Sequence, residues 1–214
     1  MRLEKASYKA IKYACFNFHY AKAVPTYSIG YSVFNDNKEW CGVVLFGGGA
    51  SVNMPTKFNL RSGQYLELNR MALNGKQLCT SKVLSTAIKL IKKECPTVQM
   101  LFSYADKGQE HFGTIYQATN WFYIENIESS GTEYLFKGIW KHDRGRYNWG
   151  VDFKKLPKRK KAGKHKYIYP LDKSLLSLCQ SLTKPYPKKA QEVNEDKRGT
   201  SSIEIGGSNP TVAL

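Results

Sequence analysis

Residues Gln64 to Glu125, QYLELNRMALNGKQLCTSKVLSTAIKLIKKECPTVQMLFSYADKGQEHFGTIYQATNWFYIE, alternate strand and helix signatures and decide the architecture. Tyr65 to Met71 has a period of two, with Leu66 and Leu68 on one face and Glu67, Asn69 and Met71 on the other. Thr80 or Ser81 is placed to cap a helix whose apolar stripe is Val83, Leu84, Ala87, Ile88 and Ile91. Cys95-Pro96 stops it, because the residue before a proline is pushed out of helical geometry. Val98 to Tyr104 is an apolar run of strand length, and Asp106-Lys107-Gly108 is a turn. Phe112, Ile115 and Tyr116 form a second helical stripe, and Trp121 to Ile124 a third strand. Strands joined through helices imply a parallel pair with a right-handed crossover, whose ligands sit outside the carboxyl ends of the strands. Arg70, Ser81 and Asp106 fall at that edge.

Upstream, Tyr8, Ile11 and Cys15 are spaced for a short amphipathic helix over residues 4 to 16, followed by the aromatic corner Phe16-Asn17-Phe18-His19-Tyr20. Tyr27 to Phe34 and Glu39 to Phe46 read as strands joined by the polar hairpin connection 35–38. Gly47-Gly48-Gly49 lacks the Lys-Ser/Thr ending of a phosphate-binding loop and reads as a tight turn or bulge. Residues 51 to 63 have little periodicity and are expected to form a loop shaping a substrate cleft. Downstream, Glu133 to Lys137 is expected to pair antiparallel with Trp121 to Ile124. Tyr167-Ile168-Tyr169 is the last strand, and Leu171 to Leu182 a short helix. These assignments give one domain over residues 1–187, carrying a basic segment at 141–169. The polar, Gly/Ser-rich remainder, 188–214, is expected to be disordered.

The 214-residue chain carries a formal net charge of +16, which bears on partners rather than on fold and points to an anionic polymer or surface. Residues 154–166 alone hold 8 Lys/Arg among 13 positions, next to Tyr147, Trp149, Tyr167 and Tyr169. Cations for phosphates beside rings for stacking is the mixture that nucleic acids favour. The residues expected to contact DNA are Lys158, Arg159, Lys160, Lys161, Lys164, Lys166, Arg144 and Arg146. With no nucleic-acid-binding motif in the chain, sequence preference should be weak. Five widely spaced cysteines, none in a CxxC grouping, fit reduced thiols. The amino terminus has no continuous apolar core like that of a signal peptide, and no apolar run approaches the roughly 20 residues of a membrane-spanning helix. A soluble, cytoplasmic protein without membrane contact is the expectation.

The element order is that of the GCN5-related N-acetyltransferase fold: α/β (α+β), a mixed, mostly antiparallel sheet with a central splayed parallel pair, flanked by helices. A finer likeness rests on an ordered set of segments. These are Phe18-His19-Tyr20 with Ala23-Val24-Pro25, Glu67-Leu68-Asn69-Arg70, Thr80-Ser81, Ser103 to Asp106, Gly113 to Trp121, and Gly163 to Tyr169. In these the chain resembles the Mom family of bacteriophage DNA-modification proteins, over about residues 15 to 170. The resemblance implies addition of a carbamoylmethyl (acetamido) group to the exocyclic amine of adenine in double-stranded DNA, with protection from host restriction enzymes. It implies functional residues at His19, Tyr20, Arg70, Ser81, Asp106 and Tyr116. Their chemistry suits His19, Tyr20, Asp106 and Tyr116 to catalysis and Arg70 and Ser81 to a small-molecule group donor, with the cation of Lys82 near the helix start. The fold suggests acetyl-CoA or a related acyl donor, and the family resemblance implies iron, for which His19 is the candidate ligand. One departure stands out: the segment 74–81 holds a single glycine, set early, where acyl-CoA-using members carry Arg/Gln-x-x-Gly-x-Gly/Ala. Two other readings share the pattern: a small-molecule or protein N-acyltransferase, and a non-enzymatic DNA-binding anti-restriction protein.

Overall fold

The computed structural model describes residues 1–49, 53–129, 131–142 and 146–188. In chain order the elements are β1 (Arg2–Lys5), α1 (Tyr8–Asn17), β2 (Ile29–Phe34), β3 (Trp40–Gly47), α2 (Asn53–Thr56), β4 (Tyr65–Leu73), α3 (Thr80–Glu94) and β5 (Met100–Asp106). They continue with α4 (Thr114–Gln117), β6 (Phe122–Ile127), β7 (Thr132–Phe136), β8 (Ile139–His142), β9 (Lys158–Lys160), β10 (Lys164–Pro170) and α5 (Leu176–Ser181). Seven strands make the main sheet in the order β1-β2-β3-β4-β5-β10-β6, and β8-β7-β9 make a second, smaller one. Every neighbouring pair is antiparallel except β4 and β5, as the crossover through α3 requires. Those two strands pair only over Tyr65↔Met100, Leu66↔Leu101 and Glu67↔Phe102, and beyond that row they part. The splayed pair is as the sequence predicts.

Helix packing covers both faces of the main sheet. The α3 stripe Val83, Leu84, Ala87, Ile88 and Ile91 packs with Val44, Phe46, Leu66, Leu68 and Leu101. Truncating a fully buried member such as Ile91 to alanine should cost about 2–5 kcal/mol. On the opposite face Ile11, Ala14 and Cys15 of α1 meet Val43, Leu45 and Ala72. Cys179 of α5 joins Met100, Phe102, Ile168, Phe58 and Leu60. The five cysteines are free thiols, three of them buried.

Several expectations need correction. Residues 2–5 form an edge strand rather than helix, and α1 starts at Tyr8, with the Ser7 hydroxyl accepting from Ala10 N–H at 3.2 Å. Tyr8 is exposed, and the buried face of α1 is Ile11, Ala14 and Cys15. At the head of α3 the cap is Cys79, so Thr80 and Ser81 already lie inside the helix. Residues 53–60 are no open loop, since Phe58 and Leu60 are buried in the core. The second helical stripe is a single turn, α4. Gly113 precedes it at φ +74°, where a Cβ would stand 2.4 Å from the Tyr167 ring. β7 does not pair with β6: β10 lies between β5 and β6, β6 ends the main sheet, and β7 pairs with β8 and β9 in the small sheet.

One irregularity shapes the site. On β3, Leu45 faces Arg70 but Phe46 faces Leu68, so Asn69 is the extra residue of a β-bulge. A bulge shifts the alternation by one. Met71, expected opposite Leu66 and Leu68, therefore packs with them, and Arg70 turns to the other face of the sheet, together with Ala72.

Candidate active site

Where β4 and β5 part, the structure opens a cleft of about 670 Å³. Its walls come from distant parts of the chain: His19 and Tyr20 after α1, Glu67 to Met71 of β4, Thr80 of α3, Tyr104 and Asp106 of β5, Tyr116 of α4, and Lys164 of β10. His19, Tyr20, Arg70, Asp106 and Tyr116 are thus brought together. Ser81 and Lys82 are not: the Ser81 hydroxyl lies 3.1 Å from the Cys79 thiol, and Lys82 borders a separate small depression with Met1, Asn35 and Asp36. Of the segment 51–63, expected to shape the cleft, residues 51 and 52 and the side chains of 53 and 54 lie outside the described residues, and none of 55–63 lines it.

Two couples stand at the mouth. The Tyr20 hydroxyl donates to Asp106 Oδ2 at 3.3 Å, while Asp106 Oδ1 accepts from Gly108 N–H at 2.9 Å. Burial, then the neighbouring Asp106 charge, pushes the Tyr20 phenol up to about 12, so it stays protonated and serves as donor. His19 lies against the Tyr20 ring, centroids 4.2 Å apart. Its Nδ1 accepts from Ala21 N–H at 3.1 Å and stands 3.0 Å from an Arg70 guanidinium nitrogen. Burial, then the Arg70 charge, lowers His19 to about 4. The ring is neutral near pH 7, and since Nδ1 accepts, its proton sits on Nε2.

Deeper in, the Tyr116 hydroxyl is 2.7 Å from Ser103 Oγ, which donates to Leu68 C=O at 3.1 Å. Burial raises the Tyr116 phenol to about 12. Two buried polar atoms on the bulged strand, Arg70 Nε and Asn69 Oδ1, have no hydrogen-bond partner. Such groups are costly to leave unmet, and a ligand's polar atom or an ordered water is the usual answer.

Sequence reasoning left Glu67, Asn69, His111 and Lys164 out of the cleft. Glu67 was legible, since alternation puts it opposite Leu66 and Leu68. Gly49 explains its position: at φ +76°, a Cβ there would lie 2.8 Å from Glu67 Oε2, so the glycine run serves close approach. Lys164, expected to contact DNA, points into the cleft with its ammonium 5.5 Å from the Tyr104 ring centre. Among the described residues no group of three or more His, Cys, Asp or Glu converges on a metal position. At His19, Nδ1 is taken and a guanidinium stands beside the ring. Iron held there is not supported.

The basic segment divides by strand register. Lys158 and Lys160 of β9 are exposed. Arg159, between them, faces the other way, bonded to Glu133 at 2.8–2.9 Å and lying over the Trp140 ring at 4.4 Å. Lys161 is half-buried at the end of β9, with its N–H bonded to Gly131 C=O. Lys166 is buried and paired with Glu125 at 3.1 Å, which withdraws it from any surface contact. Arg144, the side chain of Arg146 and the tail 189–214 lie outside the described residues. Among those residues no helix is long and apolar enough to cross a membrane.

Over residues 1–188 the sequence matches the profile of the Mom protein family. It is 30% identical over 129 residues to methylcarbamoylase mom of Escherichia phage Mu, an alignment covering 58% of this chain and 53% of that protein. The chain thus spans about half the length of this curated relative. In structure it is similar to a proposed phosphinothricin N-acetyltransferase, with TM-score 0.51, 10% identity, and 80% of this chain and 99% of that one covered. A chimera of the Vibrio cholerae spermidine N-acetyltransferase SpeG and hSSAT gives TM-score 0.50 and 6% identity, covering 85% and 99%. These likenesses speak for the fold alone, which is that of the GCN5-related N-acetyltransferases.

Proposed function

Since the chain belongs to the Mom protein family, we propose that it is a phage-type DNA-modifying transferase acting on the exocyclic amine of adenine in duplex DNA. The observation that carries this reading is the single cleft in which the Tyr20–Asp106 and His19–Arg70 couples meet Tyr116 at the parting of the parallel strands. An adenine amine is a weak nucleophile, its lone pair being delocalised into the ring. It needs an activated acceptor carbon and a group to take its proton. On this reading Asp106 takes the proton, directly or through water, while Tyr20 steadies the carboxylate and offers a ring face beside His19. Arg70 holds an anionic or carbonyl oxygen of the donor, and the Tyr116 hydroxyl, on leaving Ser103 Oγ, supplies a hydrogen bond to its departing group. The adduct protects DNA by altering the groove edge that restriction enzymes read.

The fold suggests an acyl-CoA donor, and the residues fit it in part. At the parting strands Arg70, Tyr116 and Thr80, the first residue of the 15-residue α3, line the cleft, and a helix start beside it suits an anion. The usual glycine cradle is missing. Segment 74–79 is instead tied back to the β2–β3 hairpin through Asn35 Nδ2 to Lys76 C=O at 3.3 Å and Lys76 to Glu39 at 3.6 Å. A thioester supplies an activated carbonyl carbon, and transfer of that group leaves an amide on adenine. A carbamoylmethyl group is joined through a saturated carbon, so the mass of the adduct reports the class of donor. The deciding experiment offers the purified chain acetyl-CoA with duplex DNA on one side and with polyamines or a lysine-rich protein on the other. The reading expects no turnover on the free amines. Rapid acetylation of polyamines with DNA untouched would move the chain to the small-molecule N-acyltransferases.

A further inference from the structure

The small sheet is an insertion between β6 and β10, and its root lies at the cleft. Lys164, the first residue of β10, is paired with Asp106 on one side and with Ile127, the last of β6, on the other. Residues directly opposed in antiparallel strands share a face, so register sorts its side chains. Tyr134, Lys141 and Lys158 share one face, joined two residues along by Phe136 with Ile139 and by Thr132 with Lys160. Glu133, Arg159 and His142 occupy the other. Charge is therefore segregated. The first face carries lysines, none in an ion pair among the described residues, and the second is neutralised through Glu133.

The β7–β8 turn is Lys137-Gly138, with φ of 51° and 75°, the two-residue turn whose twist matches that of a hairpin. Phe136, at its base, stacks on Trp149 at 5.1 Å and 16° between planes, while Phe153 packs edge-on against Tyr134 and is itself backed by Tyr147. The Lys137 and Lys141 ammonium groups lie over the Phe136 ring at 5.5 and 5.0 Å. Beside the turn, Ile139 is 61% exposed. A single exposed isoleucine is ordinary on a protein surface. This one stands at the tip of a braced hairpin, between two cations, on a module rooted beside Asp106.

Building on the DNA-modifying reading, we propose that the β7–β8 hairpin is a wedge: Ile139 enters the duplex next to the target base, and Lys137, Lys141, Lys158 and Lys160 hold the flanking phosphates. An amine inside the base stack is out of reach of a cleft walled by His19, Tyr20 and Tyr116, so the base must leave the stack. An apolar side chain inserted at a base step unstacks it and fills the gap. Charge complementarity selects the partner, since three lysines on one sheet face, with Lys137 in the turn beside them, suit a polyanion.

The test uses the full chain and Ile139→Ala, whose melting temperature should match wild type because the side chain is exposed. Binding is followed on duplexes with 2-aminopurine replacing adenine at successive positions, and adduct formation is compared on duplex and single-stranded DNA. Wild type should raise 2-aminopurine fluorescence. Ile139→Ala should bind duplex within about twofold yet lose that rise, with duplex modification falling roughly tenfold or more and single-strand modification unchanged. If the variant keeps both the fluorescence rise and duplex modification, the wedge is wrong while the DNA reading stands. If wild type ignores duplex DNA and binds anionic vesicles instead, both are wrong.

Discussion

Asp106→Asn separates the chemistry of the site from its architecture. Asp106 has two structural tasks: Oδ1 accepts from Gly108 N–H at 2.9 Å, capping the turn after β5, and Oδ2 accepts from Tyr20. Asparagine keeps the cap, being as good a capping residue as aspartate, and its amide can donate to the Tyr20 oxygen. Stability should change by no more than about 1 kcal/mol. Asp106→Ala, which loses the cap, should cost about 1 kcal/mol more. The proton acceptor disappears in both variants, so modification should fall by about two to four orders of magnitude in each. Retention on duplex DNA should persist, because the lysine face of the small sheet is untouched. The assay is the resistance to restriction of plasmid recovered from expressing cells, beside thermal melting and DNA retention of the purified variants. Full protection by the Asn variant would refute Asp106 as the base. Lost protection together with a collapsed melt would refute the claim that its structural tasks are separable.

Three further outcomes follow from particular contacts. Lys158→Ala with Lys160→Ala should reduce the slope of log affinity against log salt by about two, whereas Lys166→Ala should leave it unchanged and Arg159→Ala, already neutralised by Glu133, nearly so. Gly113→Ala forces a left-handed backbone on a side chain that meets the Tyr167 ring. It should cost about 3 kcal/mol or more, a fall in Tm of roughly 6–12 °C by calorimetry. His19 titrates lower in the folded chain, at about 4, than its ordinary value near 6.5. As pH falls the unfolded chain takes that proton first, so stability is lost between about pH 6.5 and 4 and unaffected above. His19→Gln should flatten that part of the stability profile.

Along the crossover from β4 through α3 to β5, hydrophobic period and structure agree. The α3 stripe, the β4–β5 pair and the end of α3 at Cys95-Pro96 follow from local pattern alone. The bulge at Asn69 does not: alternation predicts Met71 on the wrong face, because the extra residue is visible only against the β3 register. Likewise 158–161 and 164–166 read as one basic run, yet pairing with β7, β6 and β5 sends Arg159 to Glu133, Lys166 to Glu125 and Lys164 into the cleft. His19 and Tyr20 could be named only by family likeness. Their proximity to Asp106, 86 residues on from Tyr20, is a product of the fold. Ser81 shows the converse error, a helix-start residue placed by sequence where the chain turns it away from the cleft.

The central claim, that this chain alters adenine in DNA, is met most directly by mass spectrometry of nucleosides. DNA from cells expressing the wild-type chain is digested and compared with DNA from cells expressing Asp106→Asn. The account predicts a heavier deoxyadenosine species in the first sample, strongly depleted in the second, with the other three nucleosides unchanged in both. DNA that the wild-type chain binds but leaves with all four nucleosides unaltered would contradict it.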